Sequence, residues 1–144
     1  SYGSRGLGDV YKRQVNTNNR SLAADDFFTG MFETALEEDE IIESISFSKP
    51  SNANYIKFPN PASRYAMVGV FVAQFDDGVR VAVTGAGEGG VFRHKEMETA
   101  LSSNFSAEAL SSINIASDGL ISDLHASSEY RANLIKEMTK RAVA

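Results

Sequence analysis

Hydrophobic and polar positions alternate most clearly over residues 66–87. AMVGVFVAQF is followed by DDG and then by VRVAVTGAG. Two apolar runs around a short acidic-glycine turn predict a β-hairpin. Met67, Val68, Val70, Phe71, Val72, Ala73 and Phe75 come from the first run, and Val79, Val81, Ala82 and Val83 from the second. Asp76, Asp77 and Gly78 make the turn, with Gly78 free to take a positive φ. A hairpin alone is marginal in water, so other elements must cover it. The first run is apolar on both faces, which predicts a second covered face as well.

Other patterns are shorter. Residues 40–48 alternate as a half-buried strand with Ile45 and Phe47 inward. Pro50 ends it. Asp25 or Asp26 caps a helical turn over residues 27–30, and Gly30 stops any longer helix there. Three helical stretches close the chain, over about residues 93–101, 106–117 and 127–142. Met97 and Leu101 mark the first, and Leu110 and Ile113 the second. Tyr130, Leu134, Ile135, Met138 and Ala142 mark the third. Ser106 suits an N-cap, but the acid of a capping box is missing three residues on. Leu120, Ile121 and Leu124 tuck in the connector before the last helix. The sum is an α+β fold: a three- to four-stranded antiparallel sheet, one face under about three C-terminal helices.

Residues 1–14, SYGSRGLGDVYKRQ, share no period with the rest. They read as an extraneous leader or a natural arm, with Asn16, Asn18 and Asn19 as linker. The expected division is residues 1–19 as leader and 20–144 as the folded domain.

Composition narrows the function. The 144-residue chain has a formal net charge of -5, which argues against nucleic acid as a partner. It has no cysteine, so it holds no disulfide, thiolate zinc site or iron–sulfur cluster of its own. No apolar run is long enough to span a bilayer, and cytoplasmic is the default. Eight acidic residues and no basic ones lie between Asp25 and Glu43. They form a solvated face or a docking surface for a basic partner.

Three segments bear on chemistry. YIKFPNPASRY over residues 55–65 is stiffened by Pro59 and Pro61 and carries Lys57 and Arg64. It is either a rigid crossover or a ligand-holding segment. GAGEGG matches the dinucleotide-binding glycine spacing at Gly85, Gly87 and Gly90. The strand before it belongs to a hairpin, so close backbone approach at a sheet end is the simpler reading. His94 and His125 sit in no metal-binding spacing, and no GxSxG motif is present. Catalysis borne wholly by this chain is not expected.

Four segments together carry a family resemblance: DDFFTGMFETALEEDEIIESISF, YIKFPNPASRYAMVGVFVA, VTGAGEGGVFRHKEMETAL and SDLHASSEYRANLIKEMTKRAV. They resemble the C-terminal domain of the FAD-binding (medium) subunit of molybdenum hydroxylases, most of all that of aerobic-type carbon monoxide dehydrogenase. The likeness covers about residues 20–144. It implies an oxidoreductase complex in which FAD is held mostly by two N-terminal domains absent from this chain. It also implies partner subunits, a small one with 2Fe–2S clusters and a large one with the molybdenum cofactor. The domain would help to close the flavin site. Arg64 and Lys95 would lie near the flavin edge, where a cation stabilises the negative charge of reduced flavin. Gly89 and Gly90 would let the backbone approach. Rival readings are a structural or protein-docking domain without flavin contact, with self-association through an uncovered sheet face, and a stand-alone small-ligand domain. The last requires the glycine cluster and Lys57 to line a closed pocket.

Overall fold

A computed structural model describes residues 13–144, which form two compact units, one through Lys49 and one from Pro50. Residues 1–12 of the expected leader lie outside the described residues.

The first unit is a three-stranded antiparallel sheet in the order β2-β1-β5, with β1 at Arg13–Thr17, β2 at Ser21–Ala23 and β5 at Ile42–Phe47. Arg13 and Gln14 face Phe47 and Ser46, so the end of the supposed leader is a paired strand. A short helix α1 (Ala24–Phe27) and a small hairpin, β3 (Phe28–Gly30) with β4 (Glu33–Thr34), complete the unit. The helical turn thus lies earlier than expected, with Asp25 and Asp26 inside it and Ala23 at the N-cap. Ile45 and Phe47 are exposed, not inward. Among the described residues of this unit, the buried apolar side chains are Val15 and Phe27.

The unit also holds a buried polar centre. The Glu40 side chain is buried and accepts from Arg20 Nε at 2.7 Å, Arg20 Nη2 at 2.9 Å, the Thr17 hydroxyl at 3.1 Å and the Glu37 N–H at 2.9 Å. The Arg20 guanidinium, followed by the Glu37 N–H, holds the Glu40 carboxyl down at about 2.

The second unit contains the hairpin. β7 (Ala66–Phe75) and β8 (Gly78–Thr84) pair through a two-residue turn, Phe75 facing Gly78. Gly78 has φ +132°, which an L side chain adopts only with strain. Val68, Val70 and Val72 on β7 and Val79, Val81 and Val83 on β8 are almost fully buried on one face. Met97, Leu101, Leu110, Leu134, Ile135 and Met138 join them in one apolar cluster. The sheet has four strands in the order β6-β7-β8-β9, adding β6 (Asn52–Pro59) and β9 (Phe92–Arg93). β6 replaces the expected crossover. Pro59 does not forbid it, because the proline is the last strand residue, after a register shift.

Helix α2 is Lys95–Ser103 and α3 is Ser128–Ala142. Between them only Ala107–Leu110 is helical, as a 3-10 turn capped by Ser106, where a helix to residue 117 was expected. Leu110 and Ile113 are both buried, so the spacing was real although the helix was not. On α3, Leu134, Ile135, Met138 and Ala142 are buried as expected, but Tyr130 is 45% exposed while Arg131 is 4% exposed. Leu120 is tucked in; Leu124 is exposed.

Candidate functional site

The strand ends that begin β7 and finish β8 bring two loops to one end of the sheet. Residues 60–65 form the first. Asn60 and Tyr65 close it, the Asn60 N–H donating to the Tyr65 carbonyl at 2.7 Å. The Asn60 side chain accepts from the Ala62 and Ser63 N–H groups. Arg64 sits here with φ 64°, a left-handed backbone rare for a residue with a Cβ. Lys57 donates to the Arg64 carbonyl at 3.1 Å, and the Arg64 side chain is exposed.

Residues 85–91 form the second loop. Gly85 has φ +75°, and a Cβ there would strike the Ala66 carbonyl, so the loops meet at this point. The loop is then clamped to the connector. Ile121 N–H donates to the Ala86 carbonyl at 2.9 Å, and Glu88 N–H to the Gly119 carbonyl at 3.0 Å. Gly87 and Leu120 face each other as an antiparallel bridge. Gly90 has φ +98° and turns the chain back towards β9. A Cβ at Gly89 would meet nothing within 4 Å.

An open cavity of about 390 Å³ lies between this loop and the connector, lined among others by Gly89, Gly90, Phe92, His94 and Asp118. His94 Nδ1 accepts the Met97 N–H at 3.3 Å and so caps α2. That bond requires Nδ1 to be unprotonated, leaving the proton of a neutral ring on Nε2.

Two arginines, Arg131 buried and Arg93 half-buried, fix the surroundings. Arg93 on β9 donates to Glu98 on α2 through Nε at 2.8 Å and Nη2 at 2.9 Å. Glu98 also accepts the Val81 N–H at 3.1 Å, tying strand β8 to the helix. Burial pushes the Glu98 carboxyl up. The Arg93 hydrogen bond, the Val81 N–H and the charges of Arg93 and Lys95 outweigh it and hold the group below its ordinary range. Arg131 on α3 reaches the Met67 and Gly85 carbonyls and Asp123. Asp123 is held low by the Ala126 and His125 N–H groups first, and by Arg131 after them.

Of the residues singled out in the sequence, Gly89 and Gly90 line the cavity; Arg64 and Lys95 do not. Lys95 opens α2 with an exposed side chain whose Nζ lies 3.6 Å from Glu98 Oε2. Lys57 is not among the residues that line this cavity either. Arg64 stands on the loop that abuts the glycine segment at Gly85. Sequence reading missed Arg131 and Asp123. A polar pair eight residues apart, one in a connector and one in a helix, carries no local signal of burial.

No family model matches the chain. It is 35% identical to the nicotine 6-hydroxylase medium subunit of Paenarthrobacter nicotinovorans, over 95% of this chain and 52% of that protein. It is 27% identical to the carbon monoxide dehydrogenase medium chain of Hydrogenophaga pseudoflava, over 86% of this chain and 47% of that one. Among solved structures it superimposes on quinoline 2-oxidoreductase from Pseudomonas putida 86 with a TM-score of 0.69 and 22% identity, covering 91% of this chain and 50% of that chain. The chain spans about half the length of the relatives it matches.

Proposed function

The chain is a homologue of the medium subunits of molybdenum hydroxylases, and we propose that it is the C-terminal part of such a flavin-binding subunit. Its role in this reading is to close the flavin site and to help assemble the electron-transfer complex. The carrying observation is the 35% identity to a medium subunit over 95% of this chain, against half of that relative. FAD supplies the electron-accepting chemistry and is held mostly by the N-terminal domains of such a subunit. Arg64 and Lys95 present positive charge to the flavin edge, and Gly89 and Gly90 leave room for close approach. The partners are the N-terminal FAD domains, an iron–sulfur small subunit and a molybdenum-bearing large subunit, in the cytoplasm. Residues 20–144 are the family domain, with Arg13–Thr17 of the leader paired into the first unit's sheet.

A second reading is a docking domain without flavin contact. It is favoured by the face of the second unit's sheet that carries Tyr55 and Phe71, opposite each other in register and both more than two-fifths exposed. Self-association through that face is its corollary.

Flavin content separates the two. The chain is expressed alone and joined to the two N-terminal domains of a related medium subunit, and the visible flavin bands are read. Flavin in the joined protein only is the expected outcome. Folded protein without flavin in both forms leaves the docking domain. Within the joined protein, Lys95→Ala is expected to change the flavin potential and reoxidation rate; no change removes Lys95 from the site.

A further inference from the structure

We infer that Arg131 is a positioning residue that sets the Arg64 loop and the glycine loop against each other, and through them their approach to the flavin; this rests on the flavin reading above. Its Nη1 donates to the Met67 carbonyl at 2.6 Å and to the Gly85 carbonyl at 3.4 Å. Met67 lies three residues after Arg64, and Gly85 opens the glycine loop. One nitrogen therefore bridges the two chain segments beside the place where Gly85 packs on Ala66. Nη2 pairs with Asp123 Oδ2 at 2.9 Å, and the other oxygen of Asp123 accepts the His125 and Ala126 N–H groups at 2.9 and 3.0 Å. The connector that walls the cavity is thus joined to the same guanidinium.

Stability alone does not account for this arrangement. The side chain is 4% exposed, and its Nε is buried without a hydrogen-bond partner. An unpaired buried donor is costly. A buried ion pair is often matched or bettered in stability by apolar side chains of the same volume. What an apolar residue does not supply is a planar fork that fixes two carbonyls and a carboxylate at once. Position is the property that distinguishes arginine here.

The test uses the flavin-loaded medium subunit that carries this chain. Arg131→Lys and Arg131→Met are compared with Arg64→Ala and with Ile135→Val, a conservative core change on the same helix. FAD dissociation and the flavin midpoint potential are read beside the thermal midpoint. Both Arg131 variants are expected to weaken FAD binding by about tenfold, the scale of a small misplacement of binding groups. They should shift the potential in the same sense as Arg64→Ala, and Ile135→Val should move neither. In the double variant Arg64→Ala with Arg131→Lys, the effects on FAD binding should be less than additive. Arg131 variants that lose thermal stability while keeping the flavin properties, or that add fully to Arg64→Ala, overturn the inference. If Arg64→Ala itself leaves the flavin untouched, the flavin reading fails first. Should the Arg131 variants not fold, Asp123→Asn replaces them, with a smaller shift of the same sign expected and no shift overturning the inference.

Discussion

The two units of this chain each hold a buried carboxylate gripped by an arginine, yet they use it differently. In the first unit Glu40 is buried in its pair with Arg20 while, among the described residues, Val15 and Phe27 are the buried apolar side chains. In the second unit the Glu98–Arg93 pair borders a large apolar cluster built on six valines. Apolar burial is indifferent to pH, whereas a carboxylate network is not. The first unit should therefore fail in acid where the second unit's core still holds.

Ile135→Ala tests the apolar side and should have the largest effect. Ile135 is fully buried, so the loss of its side chain and the cavity left should cost about 4 kcal/mol in chemical denaturation. A cost below about 1 kcal/mol would mean that the cluster is not what holds the second unit. Glu98→Ala comes next. It leaves Arg93 without its carboxylate and the Val81 N–H without an acceptor, and should cost about 3 kcal/mol.

These two sites also mark what could be seen in advance. The hairpin was legible because period, turn and Gly78 all agreed. The apolar positions of α3 were legible as spacing, but Arg131 was not, since a charged side chain is read by default as exposed. β6 was misread because Pro59, its last residue, and Pro61 beyond it drew attention from YIKF, part of a strand that pairs with β7 from Asn52 to Pro59. The stretch after Leu110 was misread for a different reason. Buried Leu110 and Ile113 satisfy helical spacing in an irregular chain, and the spacing does not report the missing hydrogen bonds. Of the site, the glycines were legible from their density. The clamp that holds their loop depends on contacts between residues 46 and 64 positions apart, which no local pattern carries.

Acid sharpens the comparison further. The folded Glu40 carboxyl lies at about 2, below the ordinary 4.5. The unfolded chain therefore binds this proton more readily. The stabilisation is complete above about pH 4.5 and is lost as pH falls towards 2. Amide signals of Thr17, Glu37 and Glu40 should lose their native positions in that window, while those of Val70 and Ile135, both fully buried in the apolar cluster, persist. Glu40→Gln should weaken the first unit at neutral pH and flatten its response to acid. Signals of both units moving together would refute the division of labour.

The smallest expected effect is the most useful one for the site. Gly85 and Gly89 stand four positions apart in one loop and differ in what confines them. Gly85 is required by the protein itself, through its positive φ and the Ala66 carbonyl against it. Gly89 is not: a Cβ there meets no atom within 4 Å. Gly89→Ala should thus change stability by less than about 0.5 kcal/mol, as an unconfined surface substitution does. The same added methyl lies where the flavin edge is proposed to approach. Weaker FAD binding in an otherwise unperturbed Gly89→Ala subunit would identify a contact made by a ligand rather than by the fold. Unchanged binding would remove Gly89 from the contact and leave Arg64, Gly90 and Lys95 as the proposed flavin-edge residues.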